Sequence, residues 1–329
     1  MKSTNTIVLF GCKSTTKFIL QFFLKRKYDV QLVTIDNDKG RSQMVADYCC
    51  LNEFCIKNGV NIYQAKKYSL KSDNDFEFFI NKKNKLGFVI GWQRLIPEKI
   101  LNTFSIGVFG MHGSSMNLPK GRGRSPMNWS IIEGRKVFYT NLFRYNAGVD
   151  DGDILDTFKF QINDHDTSET MHFKNTLSMK FLIEKNMDIL LNDNFKLSKQ
   201  IPLKPSYYPK RNESDSLIDW DDDIVNIEKL IRAVTKPFNG AYSFINNGHK
   251  IIIYRANIFD FQDFGYDRAK AGEILSIFDN GKFLLKSFGG ILIVHEYKTE
   301  KIIKTGDLLS NGKETKNYFD SNNQGFYDI

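Results

Sequence analysis

Short apolar runs alternate with helically spaced apolar positions through residues 1–200. "TIVLF", residues 6–10, reads as a strand that ends on Gly11. Phe18, Ile19, Phe22 and Phe23 then share one helical face, with Ser14 or Thr15 placed to cap that helix. "DVQLVTID" is a second strand, so the chain opens as β-α-β, which predicts a parallel sheet. The alternation continues with "VADYCCLNEFCIKNG" as helix, "VNIYQA" as strand, "DNDFEFFINKKNK" as helix, and "LGFVIGW" and "IGVFGMHG" as strands. Ser125 is placed to cap a helix whose first turn holds Pro126. The strands "KVFYTNLFRYN" and "DILDTFKFQIN" follow, then a long amphipathic helix starting at Asp166 or Thr167.

The pattern changes after residue 200. "IPLKPSYYPKRNESDS" holds three of the seven prolines and reads as a linker, taken to run over 201–223. Ile224, Ile227, Leu230, Ile231 and Val234 then recur at helical spacing. Beyond them come short strands broken by Asn-Gly and Gly-Gly, which suggest a small barrel. The expected architecture is α/β. A Rossmann-like, doubly wound, mostly parallel sheet fills 1–200, and a helix with a small OB-like β-barrel fills 224–329.

Composition narrows this picture only a little. The net charge of +8 favours anionic partners such as phosphates. The four cysteines, Cys12, Cys49, Cys50 and Cys55, crowd the start of the chain and lack a paired zinc spacing. They are expected to be buried free thiols, and no metal is expected. The acidic run Asp219, Asp221, Asp222 and Asp223 fits a helix start better than a metal site. No apolar run is long enough to cross a bilayer and the N-terminus lacks a signal-peptide core. A cytoplasmic protein is expected, without a membrane partner. Homodimerisation is left open.

The first strand is not followed by GxGxxG or by GxxxxGK[ST], so that turn gives no nucleotide site. Ligands in an open parallel sheet gather at the carboxyl ends of its strands. Three polar segments fall there: Gly91–Arg94, Gly110–Ser114 and Gly148–Asp153. They bring one histidine, His112, and the carboxylate of Asp150. A carboxylate beside an imidazole fixes its tautomer and favours its charged form, which is the arrangement of a general base. His165, His172, His249 and His295 have no such partner in the pattern.

"GMHGS", "LPKGRGRSP" and "VDDGD" resemble the signatures of the formyltransferases that use 10-formyltetrahydrofolate. That family carries Asn-x-His-x-Ser, then Leu-Pro-x-x-x-Gly before a helix, then an Asp in a Val/Leu-Asp-x-Gly turn. "RNESDSLIDW" and "KPFNGAYSF" are similar to its linker and barrel entry. The resemblance implies that His112 is the catalytic histidine and Asp150 the aspartate that orients it. It places Trp92, Gln93, Arg94 and Leu95 on the loop that borders the folate pterin, with Val149, Asp151 and Asp153 facing the same pocket. The cosubstrate it implies is 10-formyltetrahydrofolate. One departure stands out: the family's asparagine, a donor to the oxyanion, falls at Gly110. The loop from His112 to Pro119 is also longer, so Asn117 is a candidate to bring a carboxamide back. A protonated His112 or a backbone N–H are the other candidates.

Within the family, members act on methionyl-tRNA, on a glycinamide ribonucleotide and on nucleotide-linked amino sugars. A tRNA-binding member should show a basic loop after its second strand. "DNDKGRSQMVADYCC" carries only Lys39 and Arg41 among several acids. A nucleotide-linked amino sugar is therefore the favoured acceptor, with Arg122, Arg124, Lys210 and Arg211 as phosphate-binding candidates. Methionyl-tRNA formyltransferase ranks second. A folate-binding protein or a formyl-folate hydrolase without an amine acceptor is the third reading, kept open by Gly110.

Overall fold

The structure is a computed structural model that describes residues 6–45 and 47–315. The chain forms two compact units. The first takes residues up to 122, then 139–160 and 174–205; the second takes 123–138, 161–173 and the chain from 206 onward.

The first unit is built on a seven-stranded sheet. Its strands are β1 (Ile7–Phe10), β2 (Val30–Thr34), β3 (Asn61–Gln64), β4 (Asn84–Val89) and β5 (Phe104–Ser114), followed after a two-residue β6 (Arg122–Gly123) by β7 (Val137–Arg144) and β8 (Ile154–Gln161). Their spatial order is β3-β2-β1-β4-β5-β7-β8. The first five are parallel, and β7 runs antiparallel to β5. The mostly parallel, doubly wound expectation is met.

Side-chain alternation along β1 shows why the sheet must be covered twice. Ile7 and Leu9 join Phe23, Phe88, Phe109, Leu142, Leu182 and Met187 in one apolar layer. Val8 and Phe10 join Val33, Phe79, Trp92, Ile96 and Val108 in the other. The chain leaves β1 toward β2 and returns to β4 on its other side, so a crevice opens where β1 and β4 end. There the backbone crowds: a Cβ on Gly11 would lie 2.1 Å from the Ile90 carbonyl oxygen. Thr16 Oγ1 donates to that same carbonyl at 2.6 Å.

In the second unit, β9 (Tyr207–Tyr208) precedes six barrel strands. These are β10 (Ala241–Ile245), β11 (His249–Asp260), β12 (Ile274–Ile277), β13 (Phe283–Ser287), β14 (Gly290–Thr299) and β15 (Leu309–Ser310). Their order is β12-β13-β14-β11-β10-β15. A bridge from Glu273 to Leu308, with Ile274 N donating to Asp307 O at 2.9 Å, brings the two ends of the sheet together. The barrel is closed by that link. Asn246 and Asn247, both left-handed at φ 49° and 58°, form the turn from β10 to β11 as a type I′ hairpin requires. The helix Ile224–Val234 buries Ile224, Ile227, Leu230, Ile231 and Val234, and Asp223 caps it by accepting from Val225 N at 2.8 Å.

Several local expectations are corrected. Lys13 is the N-cap residue of the first helix, Ser14–Lys25. Thr16 closes that turn by accepting from Lys13 N, while the Ser14 hydroxyl turns to Asp47. The helix expected from Val45 begins only at Asn52. Ser125 precedes its helix in a left-handed conformation, φ 55°, and makes no cap bond with its side chain. The long helix, Ser168–Leu191, does open at Thr167 as expected, and the Thr167 Oγ1 accepts from Thr170 N at 3.3 Å. All four thiols are free, but Cys50 is exposed and Cys49 half-buried. Segment 201–223 is not a bare tether: within the second unit, Trp129 Nε1 donates to Pro209 O at 2.9 Å. No helix among the described residues is long and apolar enough to cross a membrane.

Phe88 lies in the central strand β4 at 0% exposure. Phe88→Ala should cost about 3–5 kcal/mol. A urea unfolding curve at an unchanged midpoint would contradict that packing.

Candidate active site

His112 stands where β5 outruns its parallel neighbour. β4 pairs with β5 only as far as Val89 opposite Gly110. His112 lies two residues beyond, on the carboxyl edge of the sheet, paired across the ladder with Asn141 of β7. Alternation puts Gly110, His112 and Ser114 on one face. Phe109 and Met111 turn to the opposite face and pack in the core layer around Phe88. The ring is thus carried by a strand whose other side is anchored in the core.

The His112 ring is 7% exposed and both of its nitrogens face acceptors. Nδ1 lies 3.2 Å from Asp150 Oδ2. Nε2 lies 2.7 Å from the Gly121 carbonyl oxygen. A carbonyl only accepts, so Nε2 carries a hydrogen in this arrangement. The carboxylate sets the same demand at Nδ1.

Asp150 is presented by a turn with little freedom. It is left-handed, φ 49°. A Cβ on Gly152 would lie 1.6 Å from the Arg144 carbonyl oxygen, so only glycine fits there. Gln200 Nε2 donates to Asp150 O at 2.7 Å and to Gly152 O at 2.9 Å. Its Oε1 accepts from Arg122 Nη2 at 2.6 Å. Arg122 is 8% exposed, its Nε is buried without a hydrogen-bond partner, and it has no ion pair among the described residues. A guanidinium kept from water without a counter-charge is costly unless an anion joins it.

Tyr145 occupies the space above Gly110. A Cβ on Gly110 would lie 2.5 Å from Tyr145 Cδ2. An asparagine therefore cannot stand at position 110 without displacing that ring. The contacts of Asn117 are local: it is exposed, and its Oδ1 accepts from Leu118 N at 3.1 Å. None of its described hydrogen bonds reaches His112.

On the 91–95 loop, Tyr68 is the organiser. Its hydroxyl accepts from Gln93 N at 3.0 Å, and the Arg94 guanidinium lies over its ring at 4.8 Å. Trp92 packs edge-on to Tyr68 at 4.7 Å and is buried in the core. Leu95 and Val149 are exposed, as is Asp151, while Asp153 is half-buried and accepts from Arg144 N. Arg124, Lys210 and Arg211 belong to the second unit. There Arg211 lies over the Trp129 ring at 5.6 Å and donates to Ser216 Oγ, while Arg124 and Lys210 are exposed.

The structure thus brings His112, Asp150 and Arg122 into one network and adds three residues that the sequence pattern does not reveal. Gln200 lies far off in sequence. Asn141 looks like an ordinary strand residue; it is fully buried, and its Oδ1 accepts from Thr157 Oγ1 at 2.7 Å. Tyr145 carries no motif. The empty position at Gly110 was its one available signal.

The fold is a doubly wound α/β domain with a His–Asp pair at the carboxyl edge of its sheet, followed by a small β-barrel. The family profile of formyl transferase matches residues 37–180, and that of the formyl transferase C-terminal domain matches 210–313. The chain belongs to the formyl transferase family. It is 34% identical over 252 residues to the bifunctional polymyxin resistance protein ArnA of Wigglesworthia glossinidia brevipalpis. That match takes in 77% of this chain but only 38% of ArnA, so the chain spans well under half of that relative's length. It is 26% identical to the methionyl-tRNA formyltransferase of Ruminiclostridium cellulolyticum, over 93% of this chain and 96% of that one. Its fold is that of the N-formyltransferase from Helicobacter canadensis, solved with folinic acid and dTDP-3-aminofucose. The TM-score there is 0.62 at 19% identity, covering 89% of this chain and 99% of that one.

In the ligand-free protein, nitrogen NMR should find a proton on Nε2 of His112. A bare Nε2 would contradict the contact with Gly121.

Proposed function

We propose that the protein moves the formyl group of 10-formyltetrahydrofolate to the amine of a nucleotide-linked amino sugar. The observation that carries this reading is the buried His112–Asp150 pair at the carboxyl edge of the sheet. The Helicobacter canadensis enzyme of the same fold was solved with a folate and an amino sugar nucleotide, which supports the choice of both substrates.

The acceptor amine attacks the formyl carbon and must then lose a proton. The folate nitrogen must gain one as it leaves. His112 relays that proton, and Asp150 holds Nδ1–H throughout so that Nε2 is the working nitrogen. Nε2 first leaves the Gly121 carbonyl and gives its hydrogen to solvent, so that its lone pair can take the proton of the acceptor amine. The 91–95 loop and the 149–153 turn border the folate. Arg122 takes a phosphate of the nucleotide, which supplies the counter-charge its burial calls for.

The second reading, transfer to methionyl-tRNA, is favoured by the near full-length match to a methionyl-tRNA formyltransferase. Charge argues against it. Lys39, one of two cations in the segment after β2, is already paired with Asp36.

Incubation with 10-formyltetrahydrofolate and a panel of dTDP-, UDP- and GDP-amino sugars should give a formylated sugar nucleotide. No turnover on the panel, with activity on methionyl-tRNA, would sink the sugar reading. His112→Ala should lower kcat by about 10²–10⁴-fold. Arg122→Ala should raise KM for the sugar nucleotide roughly tenfold or more, with a smaller change in kcat. An unchanged KM would remove the phosphate role.

A further inference from the structure

A formyl transfer builds negative charge on the formyl oxygen, and a donor aimed at that oxygen is worth more than any other single contact. Gly110 offers no side chain for this on the face that carries His112. Tyr145, the residue after β7, covers that gap. Its Cδ2 and Cε2 lie 2.5 and 2.9 Å from where a Cβ of Gly110 would stand. Phe143 stacks beside it, with ring centroids 5.9 Å apart and planes 18° from parallel. The ring is held by its sides, two residues along β5 from His112.

The hydroxyl is the free end of this side chain. It makes no hydrogen bond among the described residues, and it is not sealed from solvent. Burial of the ring, reinforced by the charge of Asp150, pushes the phenol well above its usual pKa. It therefore stays protonated through the physiological range, as a donor must. Asn141 offers another free N–H beside His112, but that nitrogen is completely buried. Tyr145 is only half-buried.

We infer that the Tyr145 hydroxyl donates to the formyl oxygen of the bound folate during transfer. The inference rests on the transfer reading above. As the amine lone pair forms the new C–N bond, the carbonyl π pair moves onto oxygen, where the O–H of Tyr145 holds it without giving up its proton. The pair then returns, the bond from the formyl carbon to the folate nitrogen breaks, and that nitrogen takes the proton the amine has lost. The products are a formamide and tetrahydrofolate.

Tyr145→Phe keeps the ring and removes only an unbonded hydroxyl, so its thermal unfolding should match the wild type. Tetrahydrofolate release from 10-formyltetrahydrofolate is followed with each sugar of the panel, with methionyl-tRNA and with water alone as acceptor. On whichever acceptor the wild type uses, Tyr145→Phe should lower kcat on the order of 10²-fold. Its Kd for 5-formyltetrahydrofolate should stay within about twofold. Turnover at the wild-type level would overturn the donor role while the transfer reading stands, as would a fall in Asn117→Ala alone. A tenfold weaker Kd with unchanged kcat would make Tyr145 a binding residue and overturn it too. A wild type inert toward every acceptor would sink the transfer reading itself, and the donor role with it.

Discussion

Gly152 approaches the Arg144 carbonyl so closely that no side chain fits between them, and that contact decides where Asp150 stands. It pins the turn after β7 against the end of the strand. Gln200 completes the restraint by donating to the carbonyls on both sides of residue 151. Asp150 is left in a left-handed conformation that few residues adopt without support. Its carboxylate then meets Nδ1 of His112, and the ring can turn only by giving up that partner. One backbone contact thus sets the carboxylate, and the carboxylate sets the imidazole.

The network around this pair is charged on one side only. Arg122 reaches the Asp150 turn through Gln200 rather than through a carboxylate. A direct ion pair would satisfy the guanidinium and leave nothing for a ligand. The neutral amide instead positions it and preserves its charge. The same economy shows at Gly110. The missing side chain there gives room to the ring of Tyr145, the residue that follows β7.

Much of the fold was legible because burial leaves a periodic trace. The helix Ile224–Val234 buries the very positions its spacing singled out. The β-α-β opening implied a parallel sheet, and β1, β2 and β4 form one. Helix starts were read less well. Ser14 and Ser125 carry the right hydroxyl for a cap, yet Thr16 and the backbone take over those turns. Propensity states what a side chain can do, and neighbours in space decide whether it is free to do it. Asp47, remote from Ser14 in sequence, claims its hydroxyl.

The sequence by itself determined the class of sheet, the succession of an α/β part and a barrel, and the two residues, His112 and Asp150, that meet at the carboxyl edge of the sheet. These are local or periodic properties, and they survive without coordinates. Only the tertiary structure decided what surrounds that pair. Gln200 and Tyr145 reach it from separate segments, with no motif to announce them. The Gly121 carbonyl meets Nε2 only because the loop folds back on β5. A hydrogen bond depends on angles and on distances of a few tenths of an ångström, and these arise where separate segments pack together, not within any one of them.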